Sequence, residues 1–149
     1  MDSVEKPGKN RRILMAEDNE EHYLLTREVI QEAGLPIELL WVKDGEELMA
    51  FLRQNLSPEL ILLDLNMPKK SGKEALAEIR AEARFRRIPV VIFSTSGSDE
   101  DVQSTYDLGA NSYIQKPVGF DPYVRVMRSL YEYWFDVSKI PAGVAPYAA

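Results

Sequence analysis

Cysteine is missing from this 149-residue chain, and histidine occurs only once. The first absence excludes disulfides and thiol chemistry. The single histidine, His22, stands beside two glutamates in a polar helical pattern and reads as a surface residue, not a phosphodonor. Positive charge is also short, with 18 Lys and Arg against 24 Asp and Glu and a net charge of −6. No basic stripe runs along the chain. Lys69-Lys70 and Arg84-Phe85-Arg86-Arg87 are local clusters that read as a solvated rim, so no nucleic-acid partner is expected. No apolar stretch approaches the roughly 20 residues needed to cross a bilayer, and no membrane partner is expected. Residues 1–9 lack the apolar core of a signal peptide, which points to a cytoplasmic protein.

What is present is ordinary for a globular domain, at 45% hydrophobic and 28% charged residues. Short apolar runs alternate with amphipathic segments. Strands are expected at Arg12–Ala16, Ile37–Val42, Leu60–Leu63, Val90–Phe93 and Ser112–Gln115. Helices between them carry their own start and stop signals. Asn19 precedes the first, and Gly34 stops it. Asp44 with Glu47 and Ser71 with Glu74 form capping patterns for the second and third. Ser98 caps the fourth, whose early acids complement the helix dipole, and Gly109 ends it. The fifth starts near Phe120 and runs to about Phe135. Such alternation predicts an α/β fold with a parallel sheet covered on both faces. Residues 11–135 form one domain in this reading, between a loose segment 1–10 and a mobile Pro/Ala/Gly-rich tail, 136–149.

The chemistry gathers where strands end. Asp64 terminates the run Leu60-Ile61-Leu62-Leu63, and Glu17-Asp18 follow Ile13-Leu14-Met15-Ala16. In open α/β sheets that carboxyl edge is where ligands bind. Three carboxylates placed together there repel one another unless a cation lies between them. Magnesium suits such a site, since it takes hard oxygen ligands and keeps several waters. Ser94 ends the fourth strand, flanked by Thr95 and Ser96, and a one-residue slip would give its role to Thr95. Lys116-Pro117 follow the fifth strand, and Asn66 lies in the loop after Asp64. Together these residues suit aspartyl phosphorylation, in which Mg²⁺ and a lysine neutralise charge on the transferring phosphoryl group.

This ordered set, over about residues 11–135, resembles the response-regulator receiver domain of two-component signalling. The resemblance implies a flavodoxin-like (βα)5 fold with strand order 2-1-3-4-5. It also implies that Asp64 accepts a phosphoryl group from a sensor histidine kinase. Asp18 would bind Mg²⁺ directly, Glu17 mainly through water, and Asn66 through its main-chain carbonyl. Lys116 would pair with Asp64 and then with the phosphoryl oxygens. Ser94 and Tyr113 would switch the surface of the fourth helix, fifth strand and fifth helix. Pro117 matches the family's Lys-Pro, where a cis bond is common. Glu17–Gly34, Leu63–Arg80 and Tyr131–Phe135 are similar to single-domain regulators paired with cyanobacterial phytochromes, which implies a phytochrome-type kinase.

Beyond the switch, the fifth helix carries more apolar surface than one sheet face needs. Tyr123, Met127, Leu130 and Trp134 make one helical stripe; Val124, Tyr131 and Phe135 make another, expected as a homodimer interface. Two rivals exist. A pseudo-receiver would bind partners without phosphorylation, and the intact acids and Lys116 argue against it. A haloacid-dehalogenase-type phosphatase would place its nucleophile on the first strand with a second aspartate two residues on, where this chain has Asn66.

Overall fold

Unbroken apolar runs become the middle of the sheet, because a central strand is covered on both faces. The computed structural model describes residues 10–54 and 57–141. Residues 1–9 and 142–149, the bulk of the two termini expected to be loose, lie outside the described residues. Strand β1 (Arg11–Ala16) is followed by helix α1 (Glu20–Ala33), β2 (Ile37–Val42), α2 (Gly45–Gln54), β3 (Leu60–Leu63) and α3 (Gly72–Ala81). Then come β4 (Val90–Ser94), α4 (Asp99–Leu108), β5 (Ser112–Gln115) and α5 (Phe120–Tyr131). The five strands form one sheet in the order β2-β1-β3-β4-β5, with every pairing parallel. This is the expected fold and order.

Strand alternation divides the core into two layers. Leu14, Ile61, Leu63 and Ile92 pack with Leu48, Leu52, Leu76 and Ile79 of α2 and α3. Ile13, Met15, Leu62 and Phe93 pack on the other face with Val29 and Ile30 of α1 and Tyr123, Met127 and Leu130 of α5. The buried Tyr123 hydroxyl meets the Thr26 hydroxyl, joining α1 to α5 and satisfying both polar groups. Helix α4 is the least embedded, with Thr105 its buried residue.

Helix ends follow the sequence signals. Asn19 Oδ1 accepts from the Glu21 and His22 amides, Ser71 and Glu74 form a reciprocal capping box, and Ser98 accepts from the Asp101 amide. Gly34 closes α1 at φ +66°, a left-handed conformation that costs glycine little.

The C-terminal end of α5 departs from the expectation. Regular winding would continue the buried stripe from Leu130 to Trp134. The chain instead widens into a π-helical extension over Glu132–Val137, closed by the Ser138 amide donating to the Tyr133 carbonyl at 2.7 Å. One added residue per turn puts position 135 beneath position 130. Phe135 is therefore buried at 7% exposure, while Trp134 is half-buried. The Arg11 guanidinium lies 5.2 Å from the Phe135 ring centroid, and the Tyr131 ring packs at 5.2 Å. Ile140 also packs against both core layers, so the folded body reaches past residue 135.

The π register predicts that Phe135→Ala loses about 3 kcal/mol in urea denaturation, as large-to-small core changes do. Trp134→Ala should lose about half as much, and the reverse ranking would contradict this register.

Candidate functional site

The sheet order reverses between β1 and β3, and this switch point is where the acidic side chains meet. The Asp64 amide donates to the Ala16 carbonyl at 3.0 Å, continuing the β1–β3 ladder one residue beyond the strand. The Glu17 amide does the same to Val42 at 2.9 Å on the other side of β1. Main-chain pairing thus fixes both residues where their side chains converge. Glu17 is 1% exposed, Asp64 is 7% exposed, and Asp18 faces solvent. Carboxylate oxygens of Glu17, Asp18 and Asp64 all lie within 4.8 Å of one another. This all-oxygen donor set, open to solvent at Asp18, fits a hard divalent cation. Asn66 is exposed in the same β3–α3 loop, two residues beyond Asp64.

Lys116 enters from the end of β5. Its amide donates to the Ser94 carbonyl at 2.7 Å, so β4 and β5 continue their pairing to the site. Its Nζ donates to Glu17 Oε1 at 2.5 Å and lies 4.0 Å from Asp64 Oδ1. The ammonium therefore pairs with Glu17 by hydrogen bond and reaches Asp64 only as an ion pair. The Lys116–Pro117 peptide is trans, with no cis bond among the described residues.

Ser94 is fully buried at the end of β4, and its Oγ accepts from the Ser96 amide at 3.2 Å; Thr95 beside it is exposed. Tyr113 is half-buried, and its hydroxyl donates to the Ser96 carbonyl at 2.8 Å. Ser96 Oγ in turn donates to Asp101 of α4 at 2.6 Å, and Lys73 of α3 donates to the same carboxylate at 2.8 Å. The loop after β4 is thus tied to β5 and α4. Val124 and Tyr131 lie half-buried along α5, and Phe135 sits beside Arg11 at the amino edge of the sheet, away from the acids. Burial commits the Phe135 ring to its own chain.

Three contributors escaped sequence reasoning. Gly72 is one: a Cβ there would stand 2.2 Å from the Asp64 carbonyl oxygen, so only glycine lets α3 approach this closely. Its own amide donates to Leu65 at 3.0 Å. Trp41 is another, its indole donating to the Glu17 carbonyl at 2.8 Å while its ring stacks on Tyr23. The third is His22, which is no isolated surface residue. Its Nδ1 lies 2.8 Å from Lys116 Nζ. The available signal was its place in the first turn of α1, only four residues beyond Asp18, just past the end of β1.

Burial pushes the Asp64 carboxyl up from its ordinary 3.8 to about 6; Lys116 opposes this, and the Glu17 and Asp18 charges reinforce it. A carboxyl whose pKa is higher folded than unfolded costs stability once ionised. The loss develops as pH rises from about 4 to about 6 and persists above. In EDTA at pH 8, Asp64→Asn should therefore be more stable than the wild type by about 2 kcal/mol, a value reduced for partial solvent screening. The gain should vanish near pH 4. Equal urea midpoints at pH 8 would contradict the strain.

A family model described as the response regulator receiver domain matches residues 13–128. Response regulator Rcp1 of Synechocystis sp. is 37% identical over 137 residues, covering 88% of this chain and 93% of that protein. The probable methanogenesis regulatory protein FilR2 of Methanothrix harundinacea is 35% identical, covering 87% of this chain and 86% of its own length. Among solved structures, the phosphorylated cyanobacterial phytochrome response regulator RcpA superposes with a TM-score of 0.82 at 40% identity, over 89% of this chain and 99% of its own. The Mn²⁺-bound form of Rcp1 gives 0.80 at 36% identity, with the same coverage. Its strand order, its acidic switch point and these matches together make this chain a member of the response regulator receiver domain family.

Proposed function

We propose that this protein is a stand-alone response regulator that accepts a phosphoryl group on Asp64 from the phosphohistidine of a sensor histidine kinase. The observation that carries the reading is the convergence of Asp64, Glu17, Asp18 and Lys116 on one sheet edge. Asp64 is the nucleophile: its carboxylate oxygen forms the new P–O bond as the bond to the donor nitrogen breaks. Glu17, Asp18 and Asp64, with the Asn66 carbonyl, would hold Mg²⁺. When bound, the ion supplies positive charge against the phosphoryl oxygens and the repulsion among the acids. Lys116 moves from Glu17 toward the phosphoryl group, adding its ammonium to the equatorial oxygens. The protein acts as a signalling component and not as a turnover enzyme.

The output follows from the loop after β4. A phosphoryl group gives the Ser94 hydroxyl a new acceptor, competing with the contacts that Tyr113, Ser96 and Asp101 now make. Reversing a two-state population needs about 5.5 kcal/mol of differential binding. A few charge-assisted hydrogen bonds, at about 1.5–3 kcal/mol each, are of that size. Tyr113 then shifts, and the α4–β5–α5 surface changes its preference for a partner or a second copy. In a homodimer, Val124 and Tyr131 supply contact surface and Phe135 supports Tyr131 from beneath. The resemblance to the cyanobacterial phytochrome response regulator RcpA supports a phytochrome as the kinase, and a cytoplasmic location is part of the same proposal. We take residues 11–135 as the receiver domain, with residues 1–10 and 136–149 as its terminal segments, the second of which packs back on the domain through Ile140.

Intact mass after incubation with acetyl phosphate and Mg²⁺ tests the reading. One phosphoryl adduct is expected on the wild type, absent in Asp64→Asn and in EDTA. A folded wild type that binds Mg²⁺, yet takes no phosphoryl group from acetyl phosphate or a kinase phosphohistidine, would instead be a pseudo-receiver.

A further inference from the structure

Lys116 is held by two acceptors, and only one of them is a carboxylate. Its ammonium has three N–H donors and no acceptor capacity. One hydrogen goes to Glu17 Oε1 at 2.5 Å, and a second faces His22 Nδ1 at 2.8 Å. Because an ammonium can only donate, the His22 nitrogen facing it has to carry the lone pair, which places the ring proton on Nε2. The Lys116 side chain is 6% exposed, so water has little access to replace either partner. Asp64 Oδ1, at 4.0 Å, stands beyond hydrogen-bond reach.

His22 itself is well anchored. It lies in the first turn of α1, with its amide bonded to both the Asn19 carbonyl at 3.1 Å and Asn19 Oδ1 at 3.3 Å. The Thr26 hydroxyl donates to the His22 carbonyl at 2.8 Å one turn later. The imidazole is therefore carried on a rigid helix start and is 36% exposed on its outer side.

From this geometry we infer that His22 is a positioning residue for Lys116, restraining the ammonium on the Glu17 side of the cleft and away from Asp64. The inference rests on the proposed phosphorylation of Asp64. To contact a phosphoryl group there, Lys116 has to give up the His22 hydrogen bond or stretch it. His22 thus opposes the charge neutralisation that speeds transfer, and it favours return of Lys116 to its resting place. Its Nδ1 also stands 3.8 Å from Glu17 Oε2, beyond hydrogen-bond reach, so its one side-chain hydrogen bond among the described residues is to Lys116 and its effect on Asp64 passes through that lysine.

The test uses the full-length protein and three substitutions. His22→Ala removes the acceptor. His22→Asn restores one, since its Oδ1 reaches about as far as Nδ1. Lys116→Ala removes the group acted upon. The first readout needs no phosphorylation: the side-chain ¹⁵Nζ–H signal of Lys116, identified by its loss in Lys116→Ala, reports hydrogen bonding through its exchange with water. Exchange should quicken in His22→Ala and return toward the wild-type rate in His22→Asn. The second readout is the rate of adduct formation from acetyl phosphate with Mg²⁺. It should rise about threefold in His22→Ala, less than a full charge-assisted hydrogen bond would give because the Glu17 hydrogen bond still restrains the ammonium. His22→Asn should reverse the rise, and the effect should disappear in a Lys116→Ala background. An unchanged exchange rate in His22→Ala would overturn the contact. An unchanged phosphorylation rate, or a change that persists without Lys116, would overturn the positioning role. If neither the wild type nor any variant is phosphorylated by acetyl phosphate or by a kinase phosphohistidine, the phosphoacceptor reading fails while the exchange data still decide the contact.

Discussion

Like charges at one sheet edge set the terms for everything near the site. Three carboxylates approach within 4.8 Å, two of them buried, and one lysine serves them. A single ammonium cannot neutralise three acids, and the consequence appears where burial is combined with neighbouring negative charge, in the raised Asp64 pKa. The resting fold is thus strained electrostatically in a way that a divalent cation relieves. The strain is local, because the two apolar layers beneath it are independent of the acids.

Parallel β-structure is what makes so close a gathering tolerable. The amides of Glu17, Asp64 and Lys116 each continue a strand ladder past its end, so backbone pairing holds the charged residues in place. Gly72 lets α3 press against the Asp64 carbonyl, and the Trp41 indole pins Glu17 from the opposite flank. Such support from neutral groups is how a site with unfavourable charge keeps its geometry. The loop after β4 has a different character. It is tied by Tyr113, Ser96 and Asp101, contacts that can be exchanged without opening the core.

Most of the architecture could be read from the chain because strand ends, caps and apolar runs obey short-range rules. Leu60–Leu63 and Val90–Phe93 read as doubly covered strands and lie at the centre of the sheet. Strand termination put Glu17, Asp18, Asp64 and Lys116 on one edge, the resemblance to receiver domains supplied the strand order that makes them neighbours, and the structure brings them together there. The extension after α5 was not legible, since a pattern of apolar positions assumes regular winding and the π turn moved the buried position from Trp134 to Phe135. His22 was misread for another reason. A lone histidine among glutamates looks solvated, and the approach of Lys116, 94 residues away, is a tertiary event. Gly72 gave no signal beyond its place after a capping serine, because its role is the absence of a side chain against a distant backbone.

The central claim is that these acids form a cation site whose occupancy relieves their repulsion. Titration calorimetry with Mg²⁺ at pH 8 tests it most directly, comparing the wild type with Asp18→Asn and Asp64→Asn. The account predicts saturable binding of one ion per chain, weakened about tenfold or more by either substitution and fading as pH falls below the Asp64 pKa of about 6. Absence of saturable binding to the folded wild type, or binding indifferent to both substitutions, would contradict it.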